Sequence, residues 1–243
     1  MIKVGIAGCN GRMGQLLVQE VEASESLSLS GGCDRDSDLS AEKLFEISDI
    51  VIDFSSPEAS LHHAQLASQN KKALLIGTTG FSPEQIDQLK KFGEAAPILL
   101  SANTSLGVNL LVQLTKKVAG ILGNDYAIEI LESHHKHKID APSGTALALG
   151  KAAAEGRQID FESHKSIDRN GARKADDIGF SVMRGGDVVG EHTVYFYGEG
   201  ERLELTHRAT DRKLFAKGAI TTAKWLATQK PGFYTMDDFL KIF

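Results

Sequence analysis

The first hundred residues alternate between short apolar runs and segments with helical spacing, and this alternation limits the possible folds more than any other feature of the chain. The apolar runs are rich in Ile, Val and Leu and nearly bare of charge, which is typical of strands covered on both faces. Strands that alternate with helices predict parallel βαβ units and therefore an α/β fold. The predicted strands are 3–7, 27–33, 49–54, 73–76 and 98–100.

Two motifs in the same region predict where helices begin. At Ser56-Pro57-Glu58 and again at Ser82-Pro83-Glu84-Gln85, a serine stands at the cap position and a proline at the first helical position. Gln85 also completes a capping box with Ser82. We therefore expect a helix to start at each of these prolines.

The pattern changes after about Ser105, where strands no longer alternate regularly with helices. Glycines predict hairpin turns at Gly185-Gly186 and at Gly198-Glu199-Gly200. We interpret this part of the chain as an inserted α+β domain, followed by a final helix that could dock back on the first domain. The predicted elements are helices at 108–122, 142–154 and 215–225, a strand at 126–131, a polar loop at 161–177 and β hairpins across 178–209.

A glycine-rich loop, Gly8-Cys9-Asn10-Gly11-Arg12-Met13-Gly14, lies between the first predicted strand and the first predicted helix. A dinucleotide pyrophosphate needs close approach to the backbone and N–H groups at a helix N-terminus, and glycine permits both. Asn10 stands where the usual pattern has its middle glycine, but asparagine tolerates left-handed geometry. The loop predicts dinucleotide binding, with a tight turn that binds nothing as the alternative.

An acidic residue and a basic residue follow the glycine loop by about twenty positions, as the ribose-binding acid of such folds does. Asp34 ends the second predicted strand and could bind a ribose 2′-hydroxyl, while Arg35 could accept a 2′-phosphate. The pair predicts NADH or NADPH as the cofactor. Two ordinary surface charges are the alternative.

The tetrapeptide Gly77-Thr78-Thr79-Gly80 follows the fourth predicted strand, at the expected carboxyl edge of the sheet. Ligands bind at that edge in open α/β folds. Small residues here would let a nicotinamide ring lie close to the backbone. An ordinary strand-to-helix turn is the alternative.

Three histidines and two lysines crowd the segment 132–145, which then enters a helix through Pro142-Ser143-Gly144-Thr145. Basic groups beside a helix start suit a small substrate with carboxylates. Histidine and lysine could also provide the proton that a reduction by a nicotinamide requires. A solvated basic loop is one alternative; another is zinc held by the adjacent histidines, although their spacing matches no common zinc motif. No role is predicted for Lys136 or His137.

Charge, hydropathy and cysteine usage exclude several classes of protein. The formal net charge of −5 argues against a nucleic-acid-binding face, which would be broadly basic. No apolar run approaches the roughly 20 residues of a membrane span, and the first residues do not resemble a signal peptide, so we expect a cytoplasmic protein. Cys9 and Cys33 lack metal-like spacing, and we expect both to be reduced and no metal to be bound.

Taken together, these motifs resemble the dihydrodipicolinate reductase family over nearly the whole chain. The string His-His-x-x-Lys-x-Asp-Ala-Pro-Ser-Gly-Thr is very specific to that family, whereas the glycine loop is not. The motifs that carry the resemblance are Gly11–Gly14, Asp53–Ser55, Gly77–Gly80, Ser101–Ser105, Glu132–Thr145, Arg184–His192 and His207–Ala209.

The resemblance implies roles for individual residues. His134 matches a general acid/base, Lys138 matches a proton donor, and His135 matches a residue that contacts the substrate. Gly144 and Thr145 match residues that bind a substrate carboxylate through the helix start. Asp34 stands where glutamate is often found, which leaves the balance between NADH and NADPH open. The implied cofactor contacts are Gly8, Cys9, Asn10, Gly11, Arg12, Met13, Asp34, Arg35, Gly77, Thr78, Thr79, Ala102, Asn103, Thr104 and Ser105.

The resemblance also implies a fold, an activity and an assembly. The implied activity is the NAD(P)H-dependent reduction of 4-hydroxy-tetrahydrodipicolinate, via dihydrodipicolinate, to tetrahydrodipicolinate in the diaminopimelate pathway of lysine biosynthesis. The implied architecture is a Rossmann-type domain of residues 1–105 and 215–243 and a substrate-binding and oligomerisation domain of residues 106–214 with an open mixed sheet. A homotetramer is expected, with a self-contained sheet in a monomer as the alternative.

Two further expectations concern motion and rival functions. We expect the two domains to close about a hinge near Ser105 when cofactor and substrate bind. Two other functions remain open from the residues alone. One is a sensor or scaffold that binds NAD(P) without turnover, and the other is a dehydrogenase that acts on a different amino or hydroxy acid. The dense histidine and lysine segment argues against a sensor, which needs no acid beside the nicotinamide.

Overall fold

The computed structural model of the protein describes residues 1–167 and 169–241, and the chain divides into two compact units. The first unit comprises Met1–Leu106 and Lys213–Phe243, and the second comprises Gly107–Arg212. In chain order the elements are β1 (Ile2–Ala7), α1 (Arg12–Glu22), β2 (Leu27–Cys33), α2 (Ala41–Ile47), β3 (Ile50–Asp53), α3 (Pro57–Asn70), β4 (Ala73–Ile76), α4 (Pro83–Gly93), β5 (Pro97–Leu100), α5 (Leu106–Leu122), a 3-10 turn (Gly123–Asp125), β6 (Ala127–His134), α6 (Gly144–Arg157), α7 (Phe161–His164), β7 (Lys165–Ile167), β8 (Ile178–Arg184), β9 (Gly190–Tyr197), β10 (Arg202–Ala209), α8 (Lys213–Leu226), β11 (Gly232–Tyr234) and α9 (Met236–Leu240).

The first unit contains a six-stranded parallel sheet in the order β11-β5-β4-β3-β1-β2. This Rossmann-type sheet confirms the predicted fold class. All residues of β3 and β4 are buried, as expected for strands covered by helices on both faces. From β1 the chain adds β2 on one side of the sheet and then β3, β4 and β5 on the other, so the strand order reverses between β1 and β3. In open α/β sheets the crevice for ligands lies at the carboxyl ends of the two strands where the order reverses. The glycine loop follows β1 and therefore lies at that point.

Local signals predicted two helix starts in this unit. Ser56 accepts a hydrogen bond from the Ala59 N–H, and Ser82 and Gln85 form the reciprocal capping box. Helix α2, which was not predicted, begins in the same way, because the Ser40 side chain accepts a hydrogen bond from the Lys43 N–H. The short strand β11 was also not predicted.

The helix α8 docks on the first unit, as the sequence suggested. Its buried residues join a core formed by β1, β3, β4 and α1. Thr104, in the turn after β5, donates from its hydroxyl to the Phe215 carbonyl at 2.7 Å and ties that turn to α8. The residues that α8 contributes to the core are Ala216, Ala219, Ile220, Ala223 and Leu226.

The second unit contains a five-stranded mixed sheet in the order β10-β9-β6-β8-β7. The hairpin predicted at Gly198–Gly200 is present between β9 and β10. The hairpin predicted at Gly185-Gly186 is wrong, because β6 lies between β8 and β9. The loop after β8 pairs its backbone with the end of β6 instead: the Gly185 N–H donates to the His134 carbonyl at 2.9 Å, and the His135 N–H donates to the Val188 carbonyl at 2.7 Å.

Two other boundaries in the second unit differ from the prediction. The polar stretch 161–177, predicted as a loop, contains α7 and the edge strand β7, which pairs with β8. A three-residue polar edge strand pairs on one side only and carries no apolar run that would reveal it. Residue 168 of that stretch lies outside the described residues. Helix α6 starts at Gly144, after the cap residue Ser143, and not at Pro142.

One face of the second sheet packs on α5 and α6, and the alternation of side chains determines which residues point there. On β6 these residues are Ile128 and Ile130, followed by Glu132 and His134 towards the strand end. The apolar core of the second unit therefore continues into a polar cluster on the same face. No helix in the described part of the chain is long and apolar enough to cross a membrane.

Candidate active site

A cluster of buried polar side chains lies at the carboxyl end of β6. Glu132 and His134 are two residues apart and so point to the same face. Glu132 lies opposite His192 of β9, and His134 lies opposite Arg184 of β8. Glu132, His134 and His192 are 1%, 8% and 4% exposed. Burying their polar atoms costs free energy unless those atoms find partners within the protein.

The Glu132 carboxylate receives hydrogen bonds from three directions. Arg184 donates from both terminal nitrogens, Nη1 to Oε2 at 2.7 Å and Nη2 to Oε1 at 2.8 Å. The Ser143 N–H donates to Oε1 at 2.9 Å, and His134 Nδ1 lies 2.5 Å from Oε2. Burial alone would raise the pKa of Glu132, but the hydrogen bonds from His134, Arg184 and Ser143 outweigh it and lower the pKa to about 2. The carboxylate is therefore ionised at neutral pH.

His192 is a second histidine of the cluster, and it is neutral at neutral pH. Burial and then the neighbouring His134 lower the pKa of His192 to about 4. Its Nε2 lies 2.9 Å from the Ser143 hydroxyl, and its ring meets the His134 ring edge-on with centroids 5.1 Å apart. Its Nδ1 is buried and has no hydrogen-bond partner among the described residues. The ring packs against His134 without adding a positive charge.

Lys138 and His135 lie in the loop that follows β6. The Lys138 ammonium donates to Asp140 Oδ1 at 2.7 Å, and its side chain is 21% exposed. His135 Nε2 lies 3.4 Å from the Arg212 guanidinium, and burial and then Arg212 lower the pKa of His135. Positive or neutral donors thus line this end of the second unit, as a dicarboxylate would require.

The start of α6 joins the same cluster through its cap residue. Ser143 accepts a hydrogen bond at its hydroxyl from the Ala146 N–H, and the next two residues, Gly144 and Thr145, open the helix. Apart from its chain neighbours and the backbone of its own helix, no described residue has an atom within 4 Å of a Cβ placed on Gly144, so the helix start has room beside it. The helix dipole favours an anion at this position.

In the first unit, a cavity of about 670 Å³ opens beside the glycine loop. Four residues predicted to bind cofactor line it, namely Gly8, Gly11, Asp34 and Arg35. The others do not line this cavity: Cys9, Asn10, Arg12, Met13, Gly77, Thr78, Thr79, Ala102, Asn103, Thr104 and Ser105.

The glycine loop passes very close to the backbone that follows β3. Gly8 has φ +78°, and a Cβ on it would lie 2.5 Å from the Phe54 carbonyl oxygen, so the position requires glycine. Asn10 is not among the described residues with positive φ, so its tolerance of left-handed geometry is not used here. Instead, the Asn10 N–H donates to Asp34 Oδ2 at 3.1 Å and links the loop to the end of β2. Asparagine is accepted there because its own backbone conformation is ordinary.

Three predicted cofactor residues in the other turns have side chains engaged within the protein. Thr78 is buried, and its hydroxyl accepts from the Ser55 N–H and from the Ser60 hydroxyl, each at 3.0 Å. Thr104 bonds to α8 as described above, and Asn103 Oδ1 accepts from the Ser105 N–H at 2.9 Å. Any contact of these turns with a dinucleotide would therefore use mainly backbone atoms.

Sequence reasoning attached no role to several residues of the two sites. Glu132, Arg184 and His192 belong to quoted motifs, and the signal that could have found Glu132 is its spacing of two from His134 on a strand. In the first unit, His63 lines the cavity and its Nδ1 lies 3.0 Å from Asp53 Oδ2, with both side chains buried. No local pattern marks that pair, because α3 brings His63 to the end of β3.

Among the described residues there is no group of three or more His, Cys, Asp and Glu side chains that could hold a metal ion. Cys9 and Cys33 are both free thiols, and burial raises the pKa of each, in Cys33 to about 11. Neither thiol is therefore a thiolate at neutral pH.

Comparisons with known proteins agree with this arrangement. The family model described as the N-terminus of dihydrodipicolinate reductase matches residues 2–104, and the model described as its C-terminus matches residues 107–240. The 4-hydroxy-tetrahydrodipicolinate reductase of Magnetococcus marinus is 43% identical, with 98% of each chain covered, and that of Sulfurimonas denitrificans is 45% identical, with 100% of each chain covered. A dipicolinate-bound dihydrodipicolinate reductase from Paenisporosarcina sp. TG-14 superposes with a TM-score of 0.82 at 27% identity, covering 97% of each chain. The protein therefore belongs to the dihydrodipicolinate reductase family.

Proposed function

We propose that this protein reduces 4-hydroxy-tetrahydrodipicolinate, via dihydrodipicolinate, to tetrahydrodipicolinate with NADH or NADPH, as an oxidoreductase of lysine and diaminopimelate biosynthesis. The observation that carries the proposal is the cluster in the second unit. A buried histidine and a helix start meet there on one carboxylate, and Lys138 lies in the loop that follows the same strand. The full-length relatives of the chain carry the name of this reductase. The dipicolinate bound to the structural relative supports a cyclic dicarboxylate as the substrate.

The residues of the first unit fit a dinucleotide. At Gly8 the loop lies so close to the Phe54 backbone that a Cβ would collide with it, and α1 starts soon after this turn. A pyrophosphate requires such a tight turn before a helix N-terminus. In this proposal the loop from Gly8 to Met13 holds the pyrophosphate. Asp34 binds the ribose and Arg35 a 2′-phosphate, beside the 670 Å³ cavity. The turns Gly77–Thr79 and Ala102–Ser105 line the nicotinamide side with their backbone.

The residues of the second unit would bind and protonate the substrate. After loss of water the substrate is a conjugated imine with two carboxylates. The backbone of Gly144 and Thr145 would hold one carboxylate at the α6 start, with His135 and Lys138 as cationic or hydrogen-bonding partners. Bound NAD(P)H supplies a hydride to one atom of the reduced bond, and Lys138 or His134 supplies the proton to the other. Holding both reactants in line provides much of the acceleration.

The reaction can be tested by following NADPH oxidation at its absorbance. The aldol product of pyruvate and aspartate semialdehyde is supplied as substrate, with pyruvate alone as the control. We expect oxidation only with the aldol product. Binding of NADPH without any oxidation would instead indicate a sensor or scaffold, and oxidation with other amino or hydroxy acids only would indicate a different dehydrogenase.

We further propose that the protein acts as a cytoplasmic homotetramer that assembles through the second sheet. Met183 and Tyr197 point away from the α5 and α6 side of that sheet and are 50% and 40% exposed, so this face offers apolar surface that a partner chain could cover. Sedimentation should give a mass of four chains. A mass of one chain would contradict this assembly.

A further inference from the structure

We propose that Glu132 is the positioning residue of this active site: it presents Nε2 of His134 as the nitrogen that exchanges the proton, and it joins that histidine to the helix start that binds substrate. The inference rests on the proposed function, because it assigns a partner to the acid/base named there. No role for Glu132 follows from the sequence motif itself.

The contact between Glu132 and His134 determines which ring nitrogen is available. An ionised carboxylate only accepts hydrogen bonds, so the Nδ1 atom 2.5 Å from Oε2 must carry a hydrogen. In the neutral ring the other nitrogen, Nε2, is then the unprotonated one. Nε2 is therefore the atom that takes up and releases the proton, while Nδ1 keeps its own.

The packing around the ring supports the same assignment. A Cβ placed on Gly190 of β9 would lie 3.0 Å from His134 Nε2 and 3.3 Å from Cδ2. Any side chain at this position would press on the reacting nitrogen, whereas glycine leaves Nε2 uncovered on that side. Gly190 thus leaves room beside Nε2 of the His134 ring, while the Glu132 carboxylate contacts the other nitrogen, Nδ1.

The Glu132 carboxylate is itself held so that it cannot turn away. The guanidinium of Arg184 meets both oxygens, which is the paired geometry that gives such contacts their directionality. The Ser143 N–H approaches Oε1 at 2.9 Å, and Ser143 is the cap of α6. One carboxylate therefore sets the position of the histidine, the end of β8 and the start of α6.

The charges around His134 come from several elements, and Glu132 provides the anion in direct contact with the ring. The lowered pKa of Glu132, about 2, means that it remains an anion over the pH range of the assay. The other titratable or charged groups around the ring are Arg184, opposite it on β8, His192 on β9, and the next residue, His135. His207 on β10 and Lys138 in the loop after β6 act on His192.

A pair of matched variants tests the role of the carboxylate. Glu132→Gln keeps the size and removes the charge, and Glu129→Gln is the control on the same strand, where the carboxylate pairs with Arg169 and Arg173 on the opposite face. We expect Glu132→Gln to lower kcat roughly 100-fold near neutral pH, in the range found when an orienting partner is lost. The KM for NADPH in Glu132→Gln and the activity of Glu129→Gln should both stay near wild type. Wild-type kcat in Glu132→Gln, or a loss of NADPH affinity as large as the loss of kcat, would overturn the inference.

A second measurement needs no substrate and leaves Glu132 in place. In the full chain labelled with 15N-histidine, the His134 signal is identified by its loss in His134→Gln, at a pH where the ring is neutral. We expect the proton on Nδ1 and a bare Nε2; a proton on Nε2 in the wild-type protein would overturn the inference. A wild-type protein that never oxidises NADPH would refute the proposed function instead, and the nitrogen spectrum would still decide whether Glu132 orients His134.

Discussion

Lys138 and His134 differ in solvent exposure and in their partners, and these differences affect how each could serve the reaction. The Lys138 side chain is 21% exposed and donates to Asp140, so water can reach it. His134 is 8% exposed and lies against Glu132. A proton donor must be reprotonated in every turnover, which the more exposed lysine does more easily. A buried ring keeps one orientation, which suits a group that must meet the substrate at a set angle.

We expect Lys138→Ala and His134→Ala each to lower kcat by about 100-fold or more, which is the usual contribution of a positioned acid or base. The dissociation constant for NADPH, measured by fluorescence titration, should change little, because both residues lie in the second unit. Lys136→Ala, an exposed neighbour in the same loop, is the control. Equal damage to cofactor binding would show that the two residues are structural.

Arg35 should discriminate between the two cofactors. It lines the cavity beside Asp34, and its guanidinium would be left without a phosphate when NADH binds. In Arg35→Ala we expect NADPH binding to weaken by roughly 1.5–3 kcal/mol, the range for hydrogen bonds to charged groups. NADH binding by the same variant is the internal control. An unchanged ratio of the two dissociation constants would remove the phosphate role.

The start of α1 lies against the glycine loop that precedes it. A Cβ on Gly14 would approach the Gly8 carbonyl oxygen to 2.1 Å and the Cys9 Cα to 2.6 Å, closer than real Cβ atoms come. The third glycine of the loop thus lets the helix start close to the turn, which aims the helix N-terminus at the pyrophosphate position. A Cβ on Gly11 would meet the Gly8 oxygen at only 3.3 Å.

Gly14→Ala and Gly11→Ala therefore form a matched pair. We expect Gly14→Ala to destabilise the protein by roughly 1–3 kcal/mol, as overpacking does, and to weaken NADH binding because the turn must open. Gly11→Ala should lower the thermal unfolding midpoint much less. Similar midpoints for the two variants would show that α1 can shift without cost and that the close approach is not needed.

At the scale of the whole molecule, two buried groups make stability depend on pH. The pKa of His192 falls from 6.5 to about 4 on folding, mainly because the ring is buried, so the unfolded chain binds a proton first as the pH drops. Stability is then lost between pH 6.5 and about 4. The pKa of Glu132 falls from 4.5 to about 2, so its contribution is present above pH 4.5 and is lost as the pH approaches 2. Each group contributes on the order of 3 kcal/mol at neutral pH.

The free energy of unfolding in urea, measured from pH 7 to pH 4, should therefore fall more steeply in the wild-type protein than in His192→Gln. The expected difference in slope approaches about 1.4 kcal/mol per pH unit, which corresponds to one proton. Glutamine can still bond to the Ser143 hydroxyl, so the comparison isolates the titration. The exposed His137→Gln is the control and should follow the wild-type curve. Parallel curves for all three proteins would contradict the prediction.

Features that depend on residues close together in the sequence were predicted well. Strand β2 begins and ends where the apolar run does, at Leu27 and Cys33, and the capping box at Ser82 forms as expected. These features depend on contacts within a few residues, which the order of amino acids specifies directly. The same reasoning failed at Gly185-Gly186, because whether two consecutive strands pair depends on a third strand far away in the sequence.

The sequence by itself determined the family, the parallel βαβ pattern of the first unit and the chemical types of the proposed site residues, His134 and Lys138 among them. Only the tertiary structure decided that Arg184 and the α6 cap Ser143 meet on the Glu132 carboxylate, and that Gly190 leaves the histidine Nε2 uncovered. The reason is physical: these contacts join residues 11 to 56 positions apart. Their geometry depends on the insertion of β6 between β8 and β9, and no local pattern encodes that insertion.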